Sequence, residues 1–563
     1  LITFLIFWWL SLLWTYHSAW PHPFDDWKNG LFYLGGGLLF GYQLLKNKTH
    51  FRLSLHGTTL SLFIYGFSIL FSLWNGNALY EGLLEASRLF LWIGFAWSLS
   101  KLQESEWITL LKISVLSAAM ISGFHGLQLR GIHFCENFFY SYNLNIAPVG
   151  YISDYGTFMA AHAPLVAFLL IKSRHYCAKI LWVLCFILIF YGLWISATRA
   201  SFAALFLAIF FGSALLVYRK IFSWKLLLVS FITMATIFVL FQKLQPIGLR
   251  QPVMYRLQTF VLAKDDVSQM SPDRWQGYLA TLHMSRRYIF SGWGLGSFRF
   301  VFPEYDHRTG SHSSSARFLY IHPHNEVLHQ LSEVGLIGLI AFLSFWILLF
   351  YKGCRLLKNP RMDPHTSLWI VLSMVGLIVY AVSCQFDANY LFPLSRLLIA
   401  LFGGILWRKI SPSPEALPEA LKQIPLRRGP ELLLIFVALT TLFLSAFQFS
   451  LYAVAKSKNA VNPPINSKEA RFWAHSAFLF SPGAFDPLYT YAISELDQGN
   501  FDQAKEAMNF LYRQYPYVPL VLYQTARLRL QTKDVKEARS LLQHALSNDP
   551  DFEDAKKLLA SIH

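Results

Sequence analysis

Charge is scarce in this chain. Only 14% of its 563 residues are charged while 55% are hydrophobic, a balance too apolar for an ordinary soluble enzyme. Cysteine is scarce as well. Cys135, Cys177, Cys185, Cys354 and Cys384 stand singly, which leaves no disulfide framework and no metal-ligand spacing among them. Acidic residues number 32 against 48 basic ones, a net charge of +16. The basic excess lies in short connections between apolar runs, which argues against a nucleic-acid partner. A starting Met is also missing, so the opening at Leu1 reads as a truncated or mis-started N-terminus. The segment 1–16 is apolar but has no small-residue cleavage site, so it is expected to be a first membrane helix and not a removed signal peptide.

What the chain has in abundance is long apolar runs and aromatic residues. Aromatics make up 17% of the residues, as expected where Trp and Tyr form belts at the membrane interface. Segments long enough to cross a bilayer recur from 1–16 to 431–450, including one at 226–243 and one at 333–351, and thirteen spans are expected. Alternate connections carry the basic residues: Lys46, Lys48 and Arg52; Lys101; Lys172, Arg174 and Lys179; Arg219, Lys220 and Lys225. Lys352, Arg355, Lys358 and Arg361 continue the set, followed by Arg408, Lys409, Lys422, Arg427 and Arg428. The positive-inside rule makes these connections cytoplasmic and places the C-terminal region outside. The reading is therefore an all-α polytopic helix bundle over 1–450, with long external loops at 125–155 and 244–332.

Composition changes after the last span. Pro482, Pro516 and Pro550 are spaced by 34 residues, as are Ala470, Ala504 and Ala538. Ala492 with Ala526 and Leu496 with Leu530 keep the same period. Small residues at helix crossings and Pro at repeat ends match the tetratricopeptide pattern. A repeat domain is expected over 464–563, packed on the membrane domain or on a protein partner, since so few repeats are marginal alone.

Three external features could carry chemistry. Ser196-Ala197-Thr198-Arg199-Ala200-Ser201 puts an Arg where one span leaves the membrane and the next returns; Arg199 either faces an anionic ligand or snorkels to the headgroups. Pro272-Asp273-Arg274-Trp275 opens an amphipathic stretch in the large loop. There Arg274 either binds phosphate oxygens or pairs with Asp273. The third feature is His322-Pro323-His324-Asn325-Glu326-Val327-Leu328-His329, which runs straight into an apolar segment. Its histidines could ligate a metal, but the H-x-H-x4-H spacing is not a zinc pattern and no carboxylate stands to complete it. Alternatively Asn325 caps the next helix and the histidines are polar filler. Or one His acts as a general base, for which imidazole is well suited. The Gly292-Trp293-Gly294-Leu295-Gly296 run lacks the strand-before, helix-after context of a nucleotide loop, and reads as a turn with close backbone packing.

Taken together, the S-x-T-R-A motif, the R-W motif with Gly292 to Phe298, and His-Asn followed by Leu328, Glu333, Gly335 and Gly338 resemble the O-antigen ligase superfamily. That group includes O-antigen ligases, O-antigen polymerases and bacterial protein O-oligosaccharyltransferases. The resemblance implies an inverting, metal-independent glycosyl transfer from an undecaprenyl-diphosphate-linked glycan, with no cofactor. It also implies that His324 acts as the catalytic histidine, with His322 as its competitor, and that Arg199 and Arg274 engage the diphosphate beside Asn325. Where the family has an Asn-rich motif near the sixth span, this chain has Asn143-Leu144-Asn145 and Ser153-Asp154-Tyr155-Gly156 instead.

The expected protein is a multi-pass glycosyltransferase of the bacterial cytoplasmic (inner) membrane, with its large loop and repeats in the periplasm. Lipid A–core is the favoured acceptor; a protein or a growing glycan would make it an oligosaccharyltransferase or a polymerase. Membrane lipids surround it, and the repeats offer a place for a protein partner. A transporter or flippase would instead need ionisable residues along a path through the spans, for which Glu85, Arg88, Lys112 and His162 are the candidates. An inert scaffold would leave Arg199, Arg274 and His324 unexplained.

Overall fold

The computed structural model describes residues 1–14, 26–46, 57–76, 78–130, 150–221, 272–306, 321–387, 392–411, 429–461 and 467–562, with a few single positions between them. Most of the expected span 226–243, much of both external loops, Asn143 to Asn145 and Cys135 lie outside the described residues.

The first helices are α1 (Ile2–Trp14), α2 (Asp26–Lys46), α3 (Gly57–Asn75), α4 (Leu79–Ser100) and α5 (Glu104–Gln128). A two-residue antiparallel pair, Ile146–Ala147 with Gly150–Tyr151, is the one exception to an all-helical fold among the described residues. Then come α6 (Ile152–Lys172), α7 (Tyr176–Ser196), α8 (Arg199–Tyr218), α9 (Pro272–Ser285) and the short α10 (Phe298–Val301). The membrane unit closes with α11 (Glu326–Leu357), α12 (Pro364–Ser383), α13 (Pro393–Ile410) and α14 (Gly429–Val461). Eight helices among the described residues are long and apolar enough to cross a membrane.

Local sequence sets the helix ends. The Gln103 amide donates to the Glu106 carboxylate at 2.7 Å, a capping box opening α5, and Asp363 caps α12 ahead of Pro364. These caps satisfy backbone donors that a helix start leaves open. In the core α6, α12 and α13 are buried along nearly their whole length, and Phe168 of α6 and Trp107 of α5 pack on Trp369 of α12.

The basic connections gather at one end of this bundle. Arg219 donates to the carbonyls of Leu357, Asn359 and Met362, Lys352 to Thr58, and Lys409 pairs with Glu104. The starts of α4, α6, α8, α11 and α13 and the end of α12 lie at the other.

That other end also carries the repeats. Helices α15 (Ser467–Phe480), α16 (Phe485–Asp497), α17 (Phe501–Gln514), α18 (Pro519–Gln531), α19 (Val535–Asn548) and α20 (Glu553–Ser561) form the C-terminal unit. It packs on the membrane unit, the first of the two arrangements expected of it. The Phe485 amide donates to the Glu81 carboxylate at 2.9 Å, and Arg299 lies between Glu81 and Asp486 at 3.5 and 3.4 Å. Phe300 of α10 packs at a tilt on Phe485 and Tyr515, with ring centres 5.2 and 4.4 Å apart. Aromatic pairs of this kind contribute roughly 0.5–1.5 kcal/mol each beyond the area they bury.

Candidate active site

Helix α11 is not one helix. At Gly335 the backbone turns to φ +71°, ψ −174°, breaking it into a rim half and a membrane half. A break frees backbone groups that the bilayer cannot satisfy. Here the segment just after α9 satisfies them: the Leu336 amide donates to Ile289 at 2.7 Å, Trp293 to Ser332 at 2.9 Å, and Gly294 to Glu333 at 3.0 Å. The approach is closest at Gly292, also at φ +71°, where a Cβ would stand 2.2 Å from the Glu333 carbonyl oxygen. The glycine run is thus a backbone splint across a broken helix, in keeping with close packing and not with a nucleotide loop.

The rim half holds the histidine stretch. Asn325 accepts from the Leu328 amide at 3.0 Å, capping α11, and donates to the Gln385 carbonyl at 3.2 Å. The Glu326 amide reaches the Cys384 carbonyl at 2.9 Å. These contacts tie the stretch to the turn that follows α12. His329 is buried on the inner face, 3.3 Å from Glu333 and edge-on to Phe298, which fits a structural role.

His324 has φ +55°, unusual for a residue with a side chain. It is pinned on three sides: its amide donates to His322 Nδ1 at 3.3 Å, its carbonyl accepts from the Tyr278 hydroxyl at 3.3 Å, and its Nδ1 lies 3.0 Å from Asp387 Oδ1. Asp387 is the residue that the sequence reading missed. The nearby Glu326 and Glu333 face His329; the carboxylate on His324 comes from 63 positions away. Its one sequence signal is an acidic residue in the short connection after an apolar span.

Electrostatics sort the cluster. Burial alone would raise the Asp387 carboxyl, but the His324 hydrogen bond and the Arg274 charge outweigh it and hold the group far below the usual range. An ionised Asp387 only accepts, so the proton of a neutral His324 sits on Nδ1 and the ring's lone pair is on Nε2. Burial, with the charges of His324, His329 and Arg274, pushes His322 well below its ordinary value against the pull of Asp387. His322 is therefore neutral; its Nδ1 already accepts, and its Nε2 carries a proton.

Arg274, on the first turn of α9, donates to the Phe386 carbonyl, one residue before Asp387. The structure thus gathers His322, His324, Asn325 and Arg274 around one turn. Arg199 is half-buried at the first residue of α8. Thr157 of α6 and Ser201 of α8 are 3.0 Å apart, and Tyr151, just before α6, packs on Phe392, just before α13. Arg199 therefore shares this end of the bundle with the Gln385–Asp387 turn.

The donor atoms of His322, His324 and Asp387 lie within 4.8 Å of one another and could hold a metal ion. Each of the three residues already has one such atom engaged within the cluster, and the Arg274 charge opposes a cation beside them. Of the four residues weighed for a transporter path, three have a polar partner within the bundle. Arg88 pairs with Glu85, His162 bonds Ser114 and the Phe158 carbonyl at 2.8 and 2.7 Å, and Lys112 is exposed on the surface of α5.

Residues 184–343 match the family model described as O-antigen ligase, and residues 495–562 match a tetratricopeptide-repeat model. The first window takes in Arg199, Arg274, His322, His324, Asn325 and the Gly335 break; Asp387 lies beyond it. No curated protein matches the chain.

Proposed function

We propose that this membrane enzyme of the O-antigen ligase and polymerase type transfers a glycan from undecaprenyl diphosphate to an acceptor hydroxyl on the periplasmic face of the inner membrane, with lipid A–core as the favoured acceptor. The observation that carries the reading is the His324–Asp387 hydrogen bond beside Arg274, at the rim of a membrane bundle.

In this mechanism Asp387 orients the ring, as a carboxylate does for a histidine base, and Nε2 of His324 takes the proton of the acceptor hydroxyl. The hydroxyl oxygen bonds to the anomeric carbon from the face opposite the leaving group, so configuration inverts. The carbon–oxygen bond to the diphosphate breaks, and its electron pair leaves with undecaprenyl diphosphate. Arg274 and Arg199 stabilise that developing charge through their guanidinium forks. His322 donates from Nε2 and holds the His324 backbone; Asn325 fixes the stretch to the turn. No metal takes part.

Support for a lipid-linked donor comes from the surface of α9. Trp275, Leu279 and Leu282 form an exposed apolar stripe on the helix that carries Arg274. A chain laid along it would bring its diphosphate to the arginine.

Mass spectrometry of glycans on lipid and on protein from a deletion strain tests the proposal. Loss from lipopolysaccharide is expected; loss only from protein makes the enzyme an oligosaccharyltransferase, and shortened chains make it a polymerase. Unchanged glycans on both would end the proposal. Arg199→Lys is expected to lower transfer by at least ten-fold, because an ammonium cannot make the paired contacts of a guanidinium. A wild-type rate would return Arg199 to the role of interfacial anchor.

A further inference from the structure

Helix α14 is too long for the membrane it crosses. Its 33 residues extend about 50 Å, while the hydrocarbon layer is about 30 Å thick. Its lipid-facing stripe is continuous through Leu432, Ile435, Phe436, Leu439, Leu442 and Phe449, all exposed. Counted from Leu432, about 30 Å of hydrocarbon ends near Tyr452. Lys456 and Lys458 then lie at the depth of the headgroups.

Helix α15 runs back down this overhang. Ser457 donates to the Ala470 carbonyl at 2.8 Å, Trp473 packs on Tyr452, and Phe480 meets Phe449 with ring centres 4.6 Å apart. Each step down α15 is thus fixed against a known level of α14. The last step reaches the hydrocarbon edge. The turn beyond it stays at that depth, since the Tyr80 hydroxyl donates to Ser481 at 3.2 Å while the Tyr80 ring packs edge-on against Phe443, deeper still on α14.

At this level the first helix of the repeat unit presents apolar side chains outward. Leu479 is 76% exposed and Phe480 44%. Phe472, two turns higher on the same helix, is exposed at the level of the headgroups. A soluble repeat would place polar residues there. The turn is also self-sufficient in hydrogen bonds: Ser481 donates to Ala477, Ala484 to Ser481, and the Gly483 carbonyl accepts from Tyr515. Backbone at membrane depth requires this.

We propose that the tip of α15, Leu479 with Phe480, is inserted in the leaflet on the active-site side and that Phe472 rests among its headgroups. The repeat unit is thus held to the lipid surface as well as to α10. The occupant is the bilayer, because the tip continues the lipid-facing stripe of α14 without a gap. The anchor bears on the seam already described: four residues after Phe480 the chain reaches Ala484, and the next amide is the Phe485 donor to Glu81.

The test uses the full chain in phospholipid nanodiscs. With the five native cysteines changed to Ser, an environment-sensitive fluorophore is placed on Leu479→Cys and, for comparison, on Phe510→Cys, which is on α17 and 46% exposed. Spin-labelled lipid with a shallow quencher is expected to dim the Leu479 label at least two-fold, and aqueous iodide to dim the Phe510 label instead. Equal iodide quenching at both positions would show a tip in water and overturn the proposal. Quenching by neither agent at Leu479 would show a protein partner or a second copy on the tip, and would overturn it too. The native-sequence chain gives an independent reading: diazirine-bearing phospholipid is expected to crosslink the 472–480 peptide as it does 432–442. Crosslinks confined to 432–442 would count against insertion. Neither readout depends on catalysis.

Discussion

His324→Ala is expected to abolish glycan transfer while the protein still accumulates in the membrane. Removing a general base typically costs 10²–10⁴-fold. No neighbour can replace this one: the His322 lone pair is engaged by the backbone amide of residue 324, which the substitution keeps, and a carboxylate such as Asp387 is a far weaker base than imidazole. Asp387→Asn is expected to approach the same loss. An amide can donate to Nδ1, which moves the ring proton to Nε2 and removes the lone pair that receives the acceptor's proton. Because the carboxyl is held far below its ordinary range, Asp387 stays charged above pH 5 and adds no limb to the activity profile there. By the same sign, its contribution to stability is present above the usual carboxylate range and fades only as pH falls through its own depressed value. Transfer measured beside an immunoblot of the membrane fraction decides the matter. Activity within three-fold of wild type in His324→Ala would remove the base from the mechanism.

The second large effect falls on folding. Gly335→Ala and Gly292→Ala are each expected to destabilise the protein by about 3 kcal/mol or more. A side chain at φ +71° costs roughly 1–2 kcal/mol by itself. The added Cβ would also stand 2.3 Å from the Phe290 carbonyl oxygen in one case and 2.2 Å from that of Glu333 in the other. Those obstacles are backbone and cannot rotate away, unlike a side chain. Gly66→Ala and Gly403→Ala are the controls, since a Cβ at either meets nothing within 4 Å. Both lie inside helices, where Ala in place of Gly is neutral or favourable by up to about 1 kcal/mol. Thermal denaturation in detergent, followed by size-exclusion, separates the two pairs. A wild-type melting point for Gly335→Ala would mean that the splint is dispensable.

Legibility in sequence varied with the range of the interaction. The 34-residue period of the repeats and the Asn325 cap depend on neighbours along the chain, and both could be read directly. So could the segregation of basic connections to one end, because each belongs to its own helix pair. His324 carried a local signal, a polar stretch before an apolar run. Asp387 carried almost none, since what gives it meaning is the packing of α12 beside the start of α11. The Gly335 break was hidden for a different reason. Glycine is common in membrane helices, and only the splint from 289–294 shows that this one is not helical. The last span is expected over 431–450; α14 instead continues to Val461, where α15 packs against it.

The interruption of α11 also decouples two mechanical tasks. A spanning helix tilts to suit the thickness of the bilayer around it, and a base at the end of a rigid rod would swing with every such tilt. Here the rod ends at Gly335. The portion bearing His324 takes its height and angle from α9, the splint and the turn after α12. On the proposed mechanism the spacing between base, carboxylate and arginine is thereby set by protein contacts, and bilayers of differing thickness are expected to leave it unchanged.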